Sequence, residues 1–100
     1  MDTAVQKSIN LGRVVSTLGV NLVTAKDAEY SRFVYNSLRR HRKCDWGDLP
    51  EETKKLNTEF AKHPEEGRTV VSLYKYKDLD IFIVTDFRQE VTTIMFTNEY

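Results

Sequence analysis

Apolar positions change their spacing twice along this chain, and the changes divide it into elements. From Tyr30 the apolar residues Phe33, Val34 and Leu38, with the small Ser37, fall at i, i+3, i+4, i+7 and i+8, which predicts an amphipathic helix over 25–41. Thr24 followed by Asp27 reads as a capping-box variant at its start. Lys26, Glu29, Arg32, Asn36 and Arg39 make the opposite, solvated face. The periodicity breaks at Cys44-Asp45-Trp46-Gly47-Asp48-Leu49-Pro50, where Gly47 allows a turn and Asp48 with Glu51 offers caps. A second helix is expected over 50–62, with Leu56, Phe60 and Ala61 as a thin apolar seam and Pro64 as its stop.

After Gly67 the period falls to two. The runs 68–77, 81–86 and 91–97 are rich in Val, Ile, Thr, Phe and Tyr, and short links separate them. Sequential strands with short links form an antiparallel meander. Residues 1–23 are less regular. Val5 and Ile9 suit a short helical turn, and 13–17, bracketed by Gly12 and Gly19, has the β-branching of a short strand. The expected fold is α+β: two amphipathic helices packed on one face of a three-stranded antiparallel meander, with room for the early strand at an edge.

Helices covering one face of so small a sheet leave the other partly bare. Tyr74 and Tyr76 share a strand face with Val70 and Ser72, so an exposed aromatic patch there would suit a protein partner or a second copy of the chain. In a homodimer, 91–97 would serve as the edge strand that pairs with its twin.

Composition narrows the classes. One hundred residues, 40% hydrophobic and 30% charged, suit a single soluble domain of the cytoplasm. The chain has neither a membrane-length apolar run nor a signal-peptide core, so no membrane partner is expected. Its single cysteine excludes an internal disulfide and a Cys-based zinc centre. Fifteen basic and fifteen acidic side chains cancel, which argues against nucleic acid as the partner. The balance is uneven along the chain: residues 1–50 carry eight basic and five acidic groups, residues 51–100 seven and ten, so the halves differ as +3 and −3.

The densest positive run, Arg39-Arg40-His41-Arg42-Lys43, reads first as a solvated helix C-terminus, where cations complement the helix dipole. A patch facing phosphate or an acidic protein is the alternative. On the acidic side Glu51, Glu52, Glu59, Glu65, Glu66, Asp78 and Asp80 offer a complement to a basic channel.

Chemistry is sparse. No GxSxG, HExxH or GxxxxGK[ST] occurs, and His41 and His63 are too isolated to read as metal ligands, so no catalytic residue, metal or cofactor is expected. Cys44, between cations and Asp45, has surroundings that lower a thiol pKa, but a lone cysteine without a resolving partner reads as inert. The candidates for partner binding are Arg39, Arg40, Arg42, Lys43, Glu51, Glu52, Tyr74, Tyr76 and Arg88. Trp46, Gly47 and Asp48 are assigned a structural role, with Trp46 roofing the core between the helices.

Several segments occur together in an order that carries a resemblance: Asp45-Trp46-Gly47-Asp48-Leu49, Asn57, Val71-Ser72-Leu73-Tyr74, Ile83-Val84-Thr85-Asp86, and Thr92-Thr93-Ile94-Met95-Phe96 with Glu99-Tyr100. Nearly all of 11–100 resembles a group of roughly hundred-residue proteins of bacterial plasmids and other mobile elements. Members go by plasmid-related protein, or by type I restriction subunit, a label their length cannot support. The chain departs from the family pattern at Arg88-Gln89-Glu90, where Asp-Arg-Ser is usual, and at Thr17-Leu18-Gly19, where Thr-Pro-Gly is usual. The resemblance implies a genomic setting without an established activity. Small proteins of that setting are often accessory factors, including inhibitors of CRISPR or restriction complexes. Three functions are therefore expected: a non-enzymatic protein-binding factor of this kind, a RelE-type mRNA-cleaving toxin using Arg88, Tyr74, Lys75 and the 39–43 run, or a homo-oligomeric regulatory domain.

Overall fold

The computed structural model describes residues 8–100. Its elements run β1 (Arg13–Ser16), α1 (Leu18–Lys26), α2 (Ala28–Arg42), α3 (Glu51–Lys62), β2 (Thr69–Tyr74), β3 (Ile81–Asp86) and β4 (Val91–Phe96), with 3-10 turns at Pro64–Glu66 and Thr97–Glu99. The fold is α+β. The strands form one sheet in the order β1-β4-β3-β2, in which the β2-β3-β4 meander is antiparallel and β1 lies parallel to β4. The early strand thus joins the edge of the meander. Val5 lies outside the described residues, and Ile9 sits in an irregular segment rather than a helical turn.

The helix expected over 25–41 is α2, which starts at Ala28, while residues 25 and 26 end α1. Asp27 is the hinge: its carboxylate accepts the Tyr30 N–H (3.1 Å) as the cap of α2, and its own N–H closes α1 on the Val23 carbonyl. Thr24 is not a cap, because its hydroxyl turns back to the Asn21 carbonyl (3.2 Å). Thr17 caps α1, accepting the Val20 N–H at 3.4 Å. Helix α1 escapes the pattern reading because Leu18-Gly19-Val20-Asn21-Leu22-Val23 is apolar on more than one face.

Helices α1 and α2 cover one face of the sheet. Val20 from α1 and Tyr30 and Val34 from α2 meet Tyr74, Ile81, Ile83 and Ile94 from the strands. A second cluster joins Ile9, Trp46 and Val70, with Phe60 and Ala61 of α3 against it. Helix α3 flanks β2, and its anchor differs from the expected one. Leu56 is 56% exposed, whereas Asn57 is buried and holds the sheet edge. The cap expected from Asp48 is also absent: the N-cap of α3 is Pro50, without a side-chain hydrogen bond.

Strand β4 lies between β1 and β3, so it is not the edge strand expected of 91–97. The aromatic patch expected at Tyr74 and Tyr76 is not exposed either, because theirs is the face that the helices cover. Tyr74 is 1% exposed, and Tyr76 packs against Tyr30 and Phe33 at ring distances of 5.2 and 4.6 Å. No helix among the described residues is long and apolar enough to cross a membrane.

Candidate functional site

The turn after α2 closes one edge of the sheet. Gly47 adopts a left-handed φ of +78°, and a Cβ there would stand 1.9 Å from the Leu73 carbonyl oxygen, so only glycine fits. This approach lets the Asp48 N–H donate to the Leu73 carbonyl (2.8 Å) and the Leu73 N–H donate to the Trp46 carbonyl (3.2 Å). One step along β2, the Asn57 amide donates to the Val71 carbonyl (2.8 Å) and accepts the Val71 N–H (3.4 Å). A side-chain amide thus supplies the same donor and acceptor as a neighbouring strand. Trp46, 3% exposed, roofs the second cluster, and its indole N–H donates to Thr58 (3.1 Å).

The positive run divides by environment. Arg39, Arg42 and Lys43 are exposed in and just after the last turn of α2. Arg40 is engaged: it donates to both Asp45 carboxylate oxygens (2.8 and 3.2 Å) and lies 4.8 Å from the centroid of the Tyr74 ring. Arg40 holds the Asp45 carboxyl below its ordinary pKa, chiefly through that hydrogen bond. Tyr74 donates its hydroxyl to the Asp45 carbonyl (2.5 Å), and burial pushes its pKa well above the usual value. Both are built into the fold.

His41 departs most from its expected place. It is fully buried, not part of the solvated run, because α2 continues its inward stripe Tyr30, Val34, Ser37 to this residue. Its Nδ1 lies 2.5 Å from Ser72 Oγ and its Nε2 2.8 Å from Thr85 Oγ1. Thr85 Oγ1 is 2.7 Å from Thr92 Oγ1, and Thr92 donates to the Leu11 carbonyl (2.6 Å). A carbonyl only accepts, which orients the whole chain. Thr92 gives its proton to Leu11, Thr85 to Thr92, and the imidazole Nε2–H to Thr85. Nδ1 is then the acceptor of the Ser72 hydroxyl. Burial lowers the His41 pKa to about 4, so the ring is neutral at physiological pH. A Ser–His pair in reach of a substrate would be a candidate nucleophile. Here both residues are sealed beneath the helices, and the relay ties α2 to three strands and the N-terminal arm.

Arg88 stands in the β3–β4 turn beside Glu90, beyond the end of β3 opposite Tyr74, so of the residues named for a ribonuclease centre Arg40 and Tyr74 meet and Arg88 is apart from them. It lines a shallow cleft of about 740 Å³ with Asn10, Glu65, Glu66 and Phe87. At its rim His63 pairs with Glu65 at 3.4 Å. Among the described residues, His63, Glu65 and Glu66 are the one trio of metal-ligating types drawn together, and all three are exposed. Glu51 and Glu52 are exposed in the first turn of α3, where carboxylates complement the helix dipole, and Glu51 also pairs with Lys54 (3.5 Å).

The remaining surface of note is the outer face of the sheet. Val15, Val71, Leu73, Phe82, Val84 and Met95 lie there half-buried, with Thr69, Asp86 and Thr93 among them, and belong to neither of the two clusters packed by the helices. Tyr100 rests against Phe82 at a ring distance of 5.3 Å. Alternation along the strands makes this face apolar in its middle, a signal the sequence carries in Val71, Leu73 and Val84. No family model, curated protein or solved structure matches the chain.

Proposed function

We propose that this chain is a small non-enzymatic protein-binding factor of a mobile genetic element, acting as an inhibitor of a host defence nuclease of the CRISPR or restriction kind. The observation that carries the binding part is the outer sheet face, where Val71, Leu73, Phe82, Val84 and Met95 adjoin in register, half-buried and outside both helix-packed clusters. A contiguous apolar surface on a small protein favours association. The enclosure of His41, Ser72 and Tyr74 gives those side chains structural work, which favours binding over catalysis. The mobile-element setting rests on the sequence resemblance. The exposed carboxylates of the second half, Glu51, Glu52, Glu65 and Glu66 among them, complement a basic nucleic-acid channel and would speed encounter with it.

Co-expression with a panel of defence systems, scored by phage plaques or plasmid uptake, tests the proposal. The expected result is protection by the wild-type chain, lost in a Val84→Glu variant that still melts cooperatively. Absence of protection across the panel would overturn it.

A further inference from the structure

We propose that the β1 edge is a docking site for an extended, acidic segment of a partner protein, which joins the sheet as a fifth strand. This rests on the reading of the chain as a protein-binding factor and names the chemistry of the segment it takes.

The two sheet edges differ. On β2, Asn57 engages Val71, and Trp46 with Asp48 engages Leu73, so strand addition is blocked there. On β1 the Arg13 N–H bonds Glu90 and the Thr17 N–H bonds Ile94, at 2.9 and 3.0 Å. Strand alternation therefore turns Val14 and Ser16 outward. Among the described residues the Asn21 amide reaches this edge, at the Ser16 carbonyl and at a long 3.5 Å. Among the described residues no partner is bonded to the Val14 and Ser16 N–H groups, which form a template for another strand.

The flanks indicate what would lie on it. Val14, Leu18 and Leu22 are 41, 73 and 54% exposed, so three large apolar side chains stand open within nine residues of sequence. Residues 8–26 hold Arg13 and Lys26 and no carboxylate. Arg13 borders the edge on the outer face, and Arg42 shares with Val14 a groove of about 510 Å³ on the other side. Glu99, at the far end of the strand, already accepts from the Thr17 hydroxyl and the Phe96 N–H, both at 2.8 Å. A second copy would bring two sets of these arginines to one seam, where like charges repel. An extended segment alternating apolar and acidic residues meets both the apolar flank and the arginines.

The test titrates the isotopically labelled full chain with two synthetic peptides, one alternating Val with Glu and one alternating Val with Lys, and follows the amide resonances. The Val-Glu peptide should shift Val14 and Ser16, weaken as salt rises, and bind at least about tenfold better than the Val-Lys peptide. Charge reversal in an Arg13→Glu, Arg42→Glu double variant should invert that preference. Val14→Pro, which deletes an outward N–H and leaves the bonds to β4, should abolish binding. Equal binding of the two peptides, or shifts confined to Phe82 and Val84, would overturn the edge proposal and leave the functional reading standing. Self-pairing of the chain through Val14 in the absence of peptide would replace the acidic segment with a second copy. Wild-type failure in the defence panel, with the peptide result intact, would overturn the functional reading alone.

Discussion

The imidazole Nδ1 of His41 accepts the hydroxyl proton of Ser72 across 2.5 Å, and neither side chain touches solvent. One helix is thereby coupled to the sheet through a bond that requires a neutral ring. Burial takes the His41 pKa from 6.5 in the unfolded chain to about 4 in the fold. The unfolded state binds the proton more tightly, so stability is full above pH 6.5 and falls as pH drops through the interval down to about 4. The loss should reach about 3 kcal/mol, read by urea denaturation at pH 7 and pH 4. A His41→Gln variant should be less stable at pH 7 and show a flatter pH dependence.

Trp46→Ala removes a buried ring and its bond to Thr58, and should cost about 3–5 kcal/mol. The native emission of Trp46 should be blue-shifted and move red on unfolding. A native spectrum equal to the denatured one would place Trp46 in water and contradict the packing.

Two glycines with similar left-handed φ make a controlled pair. At Gly47 an added methyl collides with the Leu73 carbonyl, whereas at Gly67 its nearest neighbour is the Arg88 Cβ at 3.3 Å. Gly67→Ala should therefore cost about 1–2 kcal/mol, mostly backbone strain, with a small shift of the Arg88 side chain. Gly47→Ala should lose considerably more and detach the turn from β2, visible as faster hydrogen exchange at Leu73.

Asn57→Ala leaves the Val71 N–H and carbonyl without their partner, at a cost of about 1–3 kcal/mol. It also opens the β2 edge, so the variant should aggregate on heating at concentrations where the wild type stays clear. Asn57→Asp keeps the acceptor and loses the donor. It sets a buried carboxylate against the Val71 carbonyl and should melt no higher than Asn57→Ala at pH 7.

The strands were legible because period-two runs of β-branched residues end abruptly, and 81–86 coincides with β3 to the residue. Trp46 was legible as a roof because a lone tryptophan between two amphipathic segments has apolar seams to cover. His41 was hidden by its neighbours: four cations around it suggest solvent, although it lies four residues after Ser37 on the buried stripe. That spacing was the available signal. Asn57 had none, because a carboxamide serving as a strand partner depends on where β2 lies, and Leu56 beside it is the more apolar choice. The open β1 edge needed the sheet order itself, since nothing local says that β1 pairs parallel with β4.

The unequal treatment of the two sheet edges also sets a valence. A sheet open at both edges is a bifunctional monomer, and bifunctional monomers polymerise. With Asn57 and the Trp46-Gly47-Asp48 turn occupying one edge, the sheet is monofunctional in strand pairing. Two copies that pair through their β1 edges therefore leave no open edge between them, so self-pairing through the sheet stops at two.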